Sequence, residues 1–343
     1  MPHEEYNMRS SFMNQVRRIV MAATALVTVG TIAATSAHAA GEKLLVRMDY
    51  SAWGMHAAMH LAKQKGWFQE AGLDVEIQDG TGTINTLQLL AAGQADIGQV
   101  QLGTMAIAKE NGLDLMSIAG FARKGDLAVL VDEKLDVKSV ADLAGKKLVC
   151  FTTSPWAPFI DPYLKASNVP KSKTNIVMVS PSALISTYAS GNSDGFLSQA
   201  PFGQPMVAKV RPAKVLLLAD SGINFPSYGL VTTPKKLSER GAAIKKFTQV
   251  QVKAWEYIYG GHEDEAVSAI VAQRPNAKLD PQILKSQIVA YRQFFESPTQ
   301  KAAPIGKQND ADWVAAIQSM ERAGAIKPGR KPSDYYTNAM LAN

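Results

Sequence analysis

The sequence predicts an α/β protein of two lobes, each a mainly parallel sheet flanked by helices, with a helical C-terminal tail. Its 343 residues are enough for about two domains, each with a core of its own. Short apolar runs alternate with helix-like segments along most of the chain, which is typical of sheets covered by helices on both faces. From Pro234 onward the strand-like runs stop. We therefore expect the C-terminal helices to pack back on a sheet that is already formed.

The N-terminal segment, residues 1–39, predicts a cleavable secretory signal peptide. Three arginines precede an uncharged stretch rich in Ala, Val and Thr, which ends at Ala37-His38-Ala39, where small residues flank a cleavage position. A transmembrane anchor would need about 20 strongly apolar residues, and this stretch is shorter and only weakly apolar. We expect cleavage after Ala39 and a periplasmic mature protein, with Met1, Met8 or Met13 as the start.

The elements of the mature chain follow from hydrophobic periodicity and capping residues. Nine short apolar runs are predicted as strands: Leu44–Met48, Leu73–Ile77, Asp96–Gly98, Leu115–Ala119, Ala128–Val131, Leu148–Phe151, Ile176–Val179, Gly195–Leu197 and Val215–Leu218. Apolar residues recur at helical spacing in Trp53–Phe68. Three further helices are predicted to start at a capping residue followed by Pro: Ser180-Pro181, Thr233-Pro234 and Asp280-Pro281. Ser139 and Asp142 form a capping-box pattern.

This order of elements predicts two crossings between the lobes, near Asp132 and near Tyr228. The expected division is residues 1–39 as the signal peptide, residues 40–131 plus 229–343 as lobe 1, and residues 132–228 as lobe 2. A lobe that the chain leaves and re-enters has a cleft beside the crossings, and this cleft is the expected site.

The charged residues and the cysteine exclude several classes of function. Lys and Arg number 36 against 30 Asp and Glu, and loss of the leader lowers the net charge from +6 to +5. Acidic residues are interspersed among the basic ones without an aromatic–basic stripe, so nucleic-acid binding is not expected. Cys150 is the single cysteine, which rules out an intrachain disulfide and a cysteine-rich metal site.

Three histidines remain after cleavage: His56, His60 and His262. His56 and His60 are four residues apart, but a zincin helix would need Glu where this chain has Ala57. The P-loop and dinucleotide-binding fingerprints are also absent, so we expect no metal, no cofactor and no catalysis. We interpret His56 as a ring or hydrogen-bond partner near the cleft, and His60 as a residue of the helix surface.

The candidate site consists of residues that follow the predicted strands, because open sheets bind ligands beyond the carboxyl ends of their strands. These positions carry amides, hydroxyls, glycines and aromatic rings, a mixture suited to a small, flat solute. The predicted ligand contacts are Asp49, Tyr50, Trp53, His56, Thr81, Gly82, Thr83, Gln99, Gln101, Arg123, Thr152, Thr153, Ser154, Trp156, Gln199 and Phe202.

Some of these candidates leave the charge of the ligand open. The segments Gly80–Thr83 and Thr152–Ser154 open helices, where free N–H groups favour an anion, although their threonines are equally suited to capping alone. Arg123 follows a strand near the first crossing, where it would reach an anionic ligand or hold the structure together.

Several motifs resemble one family. Asp49-Tyr50 with His56 is similar to its Asp-Trp pattern followed by His, although Tyr replaces Trp here and the usual Pro-Asn is Ala52-Trp53. The other matching segments are Ala62–Phe68, Gly72–Val75, Gln88–Gly98 and Asp142–Lys146. Together they resemble periplasmic solute-binding proteins of the nitrate/sulfonate/taurine class, in its thiamine-pyrimidine-precursor-like branch, over about residues 44–258.

The resemblance implies a type II periplasmic-binding-protein fold with two hinge strands, which closes on a ligand contacted by Tyr50 and His56. It further implies an extracytoplasmic substrate-binding subunit of an ABC importer, with an inner-membrane permease as partner and a monomeric state. A pyrimidine, an aromatic carboxylate and a sulfonate all stay open as ligands. The alternatives are a related pyrimidine-precursor synthase, which would be cytosolic with a cysteine-rich iron motif, and a sensor that presents its ligand to a receptor.

Overall fold

The computed structural model describes residues 41–342, and the proposed signal peptide lies outside them. Ten strands form two sheets: β1 Glu42–Met48, β2 Leu73–Gln78, β3 Ile97–Gln101, β4 Met116–Gly120, β5 Leu127–Asp132, β6 Lys147–Cys150, β7 Asn175–Met178, β8 Gly195–Gln199, β9 Ala213–Leu217 and β10 Tyr228–Thr232. The first sheet has the order β2-β1-β3-β10-β4, and the second has the order β7-β6-β8-β5-β9. All nine predicted strands are present within one to two residues at most ends. The tenth, β10, was missed.

The helices that flank these sheets are α1 Ala57–Gln64, α2 Trp67–Glu70, α3 Thr83–Ala91, α4 Leu102–Glu110, α5 Ile160–Ala166, α6 Leu184–Ala189, α7 Ala200–Val207, α8 Pro234–Tyr259, α9 Glu263–Gln273, α10 Pro281–Tyr291, α11 Asp310–Arg322 and α12 Pro332–Tyr335. Short 3₁₀ turns, such as Gly54–His56, connect several of them. The predicted helix from residue 53 to 68 is divided at Gly66, whose φ of 75° is the left-handed conformation that ends a helix. No helix of residues 41–342 is both long and apolar enough to cross a membrane.

Each sheet is mainly parallel, as predicted, with a single reversed strand. In the first sheet β10 runs antiparallel to both of its neighbours, β3 and β4. In the second sheet β5 is the reversed strand, and it lies between β8 and β9. Each reversed strand is the first one after the chain has passed from one sheet to the other. The two crossing segments therefore lie side by side at the centre of the molecule.

The first crossing falls earlier than predicted. Leu127–Asp132 pairs with β8 and β9, so the chain enters the second sheet between Gly120 and Leu127, and not near Asp132. An apolar run has the same local pattern in either sheet, and only its distant pairing partners decide which sheet it joins. The return occurs between Leu217 and Tyr228, beside the predicted position.

The C-terminal helices pack back on the first sheet, where α8 and α9 cover α1. Phe68 and Phe247 stack at 5.2 Å in this core, and Trp255 is fully buried beside them. Capping side chains start the tail helices as predicted: the Thr233 hydroxyl accepts the N–H of Lys236, and Asp280 caps α10. Ser180 also precedes its predicted turn, but its side chain makes no capping bond.

Candidate functional site

A cavity lies between the two sheets, at the ends of β1, β2, β6 and β8, where about 410 Å³ of space, part of it open to solvent, is not filled by protein atoms. Its lining residues are Asp49, Tyr50, Trp53, Gly82, Phe151, Ser154, Pro155, Leu184, Ile185, Leu197, Ser198, Gln199 and Phe202. Seven of the sixteen predicted contacts are among them: Asp49, Tyr50, Trp53, Gly82, Ser154, Gln199 and Phe202. They meet here because the carboxyl ends of parallel strands share one edge of a sheet.

Four aromatic side chains form what we call the ring wall of the cavity: Tyr50, Trp53, Phe151 and Phe202. The rings of Trp53 and Phe202 meet edge to face at 5.1 Å, and those of Tyr50 and Phe202 do so at 5.9 Å. Burial and the nearby Asp49 charge raise the pKa of Tyr50 to about 12, so its hydroxyl stays protonated. The ring wall therefore offers flat apolar faces for stacking against a planar solute.

Asp49 is the acidic residue of the cavity, and three side chains hold it. Its carboxylate accepts hydrogen bonds from Thr83 Oγ1 at 3.4 Å and from the Tyr228 hydroxyl, and His56 Nε2 lies 3.0 Å from its Oδ1. The backbone N–H of Trp53 points at His56 Nδ1, 3.4 Å away. Within residues 41–342, no Lys or Arg pairs with this carboxylate.

A second buried carboxylate, Asp126, lies where the two crossing segments meet. Asp126 directly precedes β5 and Ser227 directly precedes β10. Gln101 Nε2 lies 2.7 Å from Asp126 Oδ1 and 3.0 Å from Ser227 Oγ, and the Tyr291 hydroxyl donates to Asp126 Oδ2. Burial raises the pKa of Asp126 to about 6, although its hydrogen bonds oppose that rise. Gln101 thus connects the two crossing segments, and Tyr291 of α10 fixes Asp126 of the first one.

We expect Asp126 to make the protein less stable as the pH rises from about 4 to about 6. An unfolded Asp titrates near 3.9, so in this window the folded state binds more protons than the unfolded state, and the free energy of unfolding falls with pH. The loss should be about 3 kcal/mol. Urea titrations of the wild type and Asp126→Asn across this range check it, because other groups contribute equally to both. Parallel pH profiles for the two proteins would contradict the buried, titrating carboxylate.

Three hydrogen bonds span the cleft between the two sheets. Two join loops: the Tyr50 hydroxyl donates to the Pro181 carbonyl at 2.7 Å, and Thr153 Oγ1 donates to the Thr81 carbonyl at 2.5 Å. The third joins strands β8 and β10, from Gln199 Nε2 to the Tyr228 hydroxyl at 2.8 Å. The structure therefore shows the two sheets in contact across the cleft.

The other predicted hydroxyl residues do not line the cavity. Thr81 and Thr152 are exposed, and Thr153 is half-buried in its bond to the opposite loop. Thr83 is buried, but its hydroxyl is directed at Asp49. The threonines at the predicted helix starts thus have two other roles. Thr153 bonds to the opposite loop, and Thr83 donates to Asp49.

Two predicted amides also lie behind the cavity. Gln99 Nε2 donates to the carbonyl of Met55 at 2.7 Å, and Gln101 contacts Asp126. His56 likewise lies behind the cavity wall and reaches it only through Asp49. All three side chains are fully buried at the ends of strands or turns of the first sheet. They position other groups and do not line the cavity themselves.

Arg123 and Trp156 require a correction, because the structure places both in the protein's own packing. The Arg123 guanidinium donates to three carbonyls of the C-terminal segment, those of Phe295, Ala303 and Lys307, at 2.7 to 3.2 Å. Trp156 is fully buried, and its indole Nε1 donates to the carbonyl of Ser198 at 2.8 Å. Neither side chain lines the cavity.

Six lining residues were absent from the predicted set: Phe151, Pro155, Leu184, Ile185, Leu197 and Ser198. Phe151 and Pro155 follow β6, and Leu197 and Ser198 lie near the end of β8, but at these positions they look like ordinary core residues. Leu184 and Ile185 begin α6 and had no such positional signal. Tyr228, Asp126 and Tyr291 carried no such signal. Their place beside the cavity depends on where the crossings and α10 meet.

The remaining histidine and cysteine candidates are structural. His60 is fully buried rather than on a helix surface, with Nδ1 at 3.0 Å from Gln273 Oε1 of α9, and burial lowers its pKa to about 3. Burial raises the pKa of the Cys150 thiol to about 11. Within the described part of the chain, no three His, Cys, Asp or Glu residues cluster as metal ligands would.

Known proteins share both the sequence and the fold of this chain. The formylaminopyrimidine-binding protein of Halalkalibacterium halodurans is 22% identical over 287 residues, which cover 82% of this chain and 85% of that protein. The alkanesulfonate-binding protein SsuA from Xanthomonas axonopodis pv. citri, solved with MOPS bound, superposes with a TM-score of 0.62 at 14% identity, covering 89% of this chain and 99% of that one. This likeness confirms the predicted two-lobed periplasmic-binding-protein fold.

A shorter match concerns an enzyme. The 4-amino-5-hydroxymethyl-2-methylpyrimidine phosphate synthase THI11 of Saccharomyces cerevisiae is 28% identical over 109 residues, which are 31% of this chain and 32% of the yeast protein.

A family model described as NMT1/THI5 like matches residues 53–266, from the ring wall to helix α9. Because this match covers more than half of the chain, the protein belongs to the NMT1/THI5-like family.

Proposed function

We propose that this protein is the extracytoplasmic substrate-binding subunit of an ABC importer. It captures a small organic solute between two lobes, acts as a monomer and delivers the solute to an inner-membrane permease. The observation that carries the proposal is the aromatic-walled cavity at which strand ends of both sheets meet, the position at which open α/β sheets bind small molecules. The relative matched over 82% of this chain is itself named as a binding protein.

The two crossing segments supply the hinge of the proposed mechanism. They join the sheets at Gly120–Leu127 and Leu217–Tyr228, and Asp126 and Ser227 bring them together. Rotation about them would part Tyr50 from Pro181 and Thr153 from Thr81, which opens the cavity to solvent. A solute that contacts both lobes stabilises the closed form, and the permease would recognise that form.

A binding protein, and not a synthase, is the better supported of the two functions. The match to the yeast synthase spans less than a third of this chain, whereas the match to a named binding protein spans most of it. The cavity wall is also built from packed rings, amide and hydroxyl groups and the Asp49 carboxylate, which can hold a solute in place by stacking and hydrogen bonds. We therefore propose no chemical step at this site.

Solute binding is expected to raise the stability of the purified mature protein. At a free solute concentration of 100 times Kd the gain is about 2.7 kcal/mol, which corresponds to roughly 4 °C in Tm for a chain of this length. Thermal melts with a panel of pyrimidines, aromatic acids and sulfonates, followed by titration calorimetry of the hits, measure it. The protein is first freed of bound ligand by unfolding and refolding. If no class of solute then shifts the Tm or releases heat on binding, the proposed function is contradicted.

We also propose that residues 1–39 direct export and are removed. The expected product in the periplasmic fraction begins at Ala40, and its intact mass reports the cleavage position directly. A variant with Arg17 and Arg18 changed to Gln, which removes positive charge ahead of the apolar stretch, should be exported more slowly. A periplasmic protein that retains the leader, or one found only in the cytoplasm, would contradict this assignment.

A further inference from the structure

We infer, on the premise of the proposed binding function, that the cavity selects an uncharged or cationic solute with an N–H donor on a flat ring, and rejects oxyanions. Among the lining residues within 41–342, Asp49 is the only acidic one, and none is Lys or Arg. Lys278 lines an outer groove of about 330 Å³ instead. Tyr50, Trp53 and Phe202 line both spaces and separate that ammonium group from the cavity.

The protein holds the Asp49 carboxylate by hydrogen bonds and, within residues 41–342, pairs it with no Lys or Arg. Its partners are His56, Thr83 and Tyr228. The Asp49 side chain is only 3% exposed, so water screens it little. An anionic solute would lose its own hydration beside this carboxylate and would gain no cation in return.

Two helices, α3 and α7, begin at the cavity. The positive ends of their dipoles do not make the cavity favourable for an anion. Thr83, the first residue of α3, already donates to Asp49, so the protein's own carboxylate occupies that helix end. At α7 the N–H of Ala200 donates to the carbonyl of Asp126, and Pro201 has no N–H. The first two positions of α7 therefore have no donor left for an anion.

Asp49 retains capacity for one donor from a solute. A carboxylate accepts about four hydrogen bonds, and the protein supplies three of them. The ring wall lies beside it, so a planar ring between those aromatic faces can direct an amino, amidino or ring N–H group at the carboxylate. The side chains of Ser198 and Gln199 also line the cavity, where they can hydrogen-bond to uncharged polar atoms of the solute ring.

The experiment compares three probes of nearly equal shape and different charge: benzamidine, benzamide and benzoate, with 1-propanesulfonate as an aliphatic oxyanion. Calorimetry on protein freed of ligand should show benzamidine binding at least about tenfold more tightly than benzoate, the factor expected for a charge-assisted hydrogen bond. In Asp49→Asn the benzamidine affinity should fall about tenfold or more, and benzoate should no longer be disfavoured. The solute that co-purifies with the protein, released and analysed by mass spectrometry in both polarities, should be neutral or cationic.

Two variants separate the charge from its surroundings. Asp74→Asn removes an equal charge from an exposed position of β2 and should leave the preference intact. Tyr228→Phe removes one donor, keeps the Asp49 charge and should preserve the order of the probes, even if stability falls. Tighter binding of benzoate or the sulfonate, or an anionic co-purified solute, would overturn the inference while leaving the binding function standing. If no probe binds and no solute co-purifies, the proposed function fails as well.

Discussion

Replacing Gly82 by Ala is expected to weaken solute binding at least about a hundredfold, because it prevents the cleft from closing. A Cβ on Gly82 would lie 2.6 Å from the Thr153 Cβ, and closer still to the Thr153 carbonyl and hydroxyl oxygens. Thr153 follows β6 of the second sheet, whereas Gly82 follows β2 of the first, so this obstacle exists only when the sheets are together. Calorimetry with the co-purified solute measures the loss, and small-angle scattering should show that the solute no longer reduces the radius of gyration.

The matched control for this variant is Gly93→Ala. Gly82 and Gly93 both have positive φ, 130° and 75°, and a Cβ on Gly93 would meet nothing within 4 Å. Gly93, with a φ of 75°, is near the left-handed helical region, where Ala costs about 1–2 kcal/mol. Gly82, with a φ of 130° and a ψ of 147°, lies near a region that is essentially restricted to glycine, so its strain is larger, and it alone carries the obstacle. We expect Gly93→Ala to melt earlier and bind normally. Equal affinity in the two variants would mean that the closed cleft is not the form that holds the solute.

Replacing Arg123 by Ala is expected to cost about 3 kcal/mol or more of unfolding free energy and to leave the affinity of the folded protein unchanged. The guanidinium donates to the carbonyls of Phe295, Ala303 and Lys307, in one buried and two partly buried hydrogen bonds, and its removal leaves these acceptors without their charged donor. The segment from residue 295 to 307 would detach from the edge of the first sheet, which it meets at Gly120. Urea denaturation measures the stability, and calorimetry of the folded fraction measures the affinity.

The adjacent Lys124 provides the comparison for Arg123. Its ammonium pairs with Glu296 at 2.8 Å, but the two side chains are 37% and 73% exposed. Exposed pairs contribute about 1 kcal/mol or less, so Lys124→Ala should change the stability little. Arg123→Ala would refute its structural role if it unfolded like the wild type but bound the solute more weakly. That result would restore Arg123 as a ligand contact.

Local patterns predicted most of the secondary structure correctly. Nine strands matched because an apolar run between turn residues is visible in neighbouring positions alone. β10 was missed because Tyr228–Thr232 follows a proline-containing loop and carries no alternation, being buried on both faces. The crossing was misplaced for a related reason: β5 joins the second sheet through partners about 70 to 90 residues away along the chain.

The candidate site was predictable only in part. Asp49, Tyr50, Trp53 and Gly82 were found because strand ends in parallel sheets converge. Arg123 and Trp156 also follow strand ends, yet one is turned to the C-terminal segment and the other to the core. The direction of a side chain after a strand depends on what packs around it, and strand order does not specify this.

By itself the sequence determined the class of fold, the double crossing and the aromatic and amide character of the cleft, because each follows from periodicity, chain order or composition. Only the tertiary structure decided that Asp49 lines the cavity with no Lys or Arg among the described lining residues, and that Tyr228 from the returning strand holds it. The tertiary structure likewise decided that Gly82 touches Thr153 across the cleft. These features depend on contacts between residues 70 to 180 positions apart, whose distances are set by the packing of two sheets and not by any local pattern.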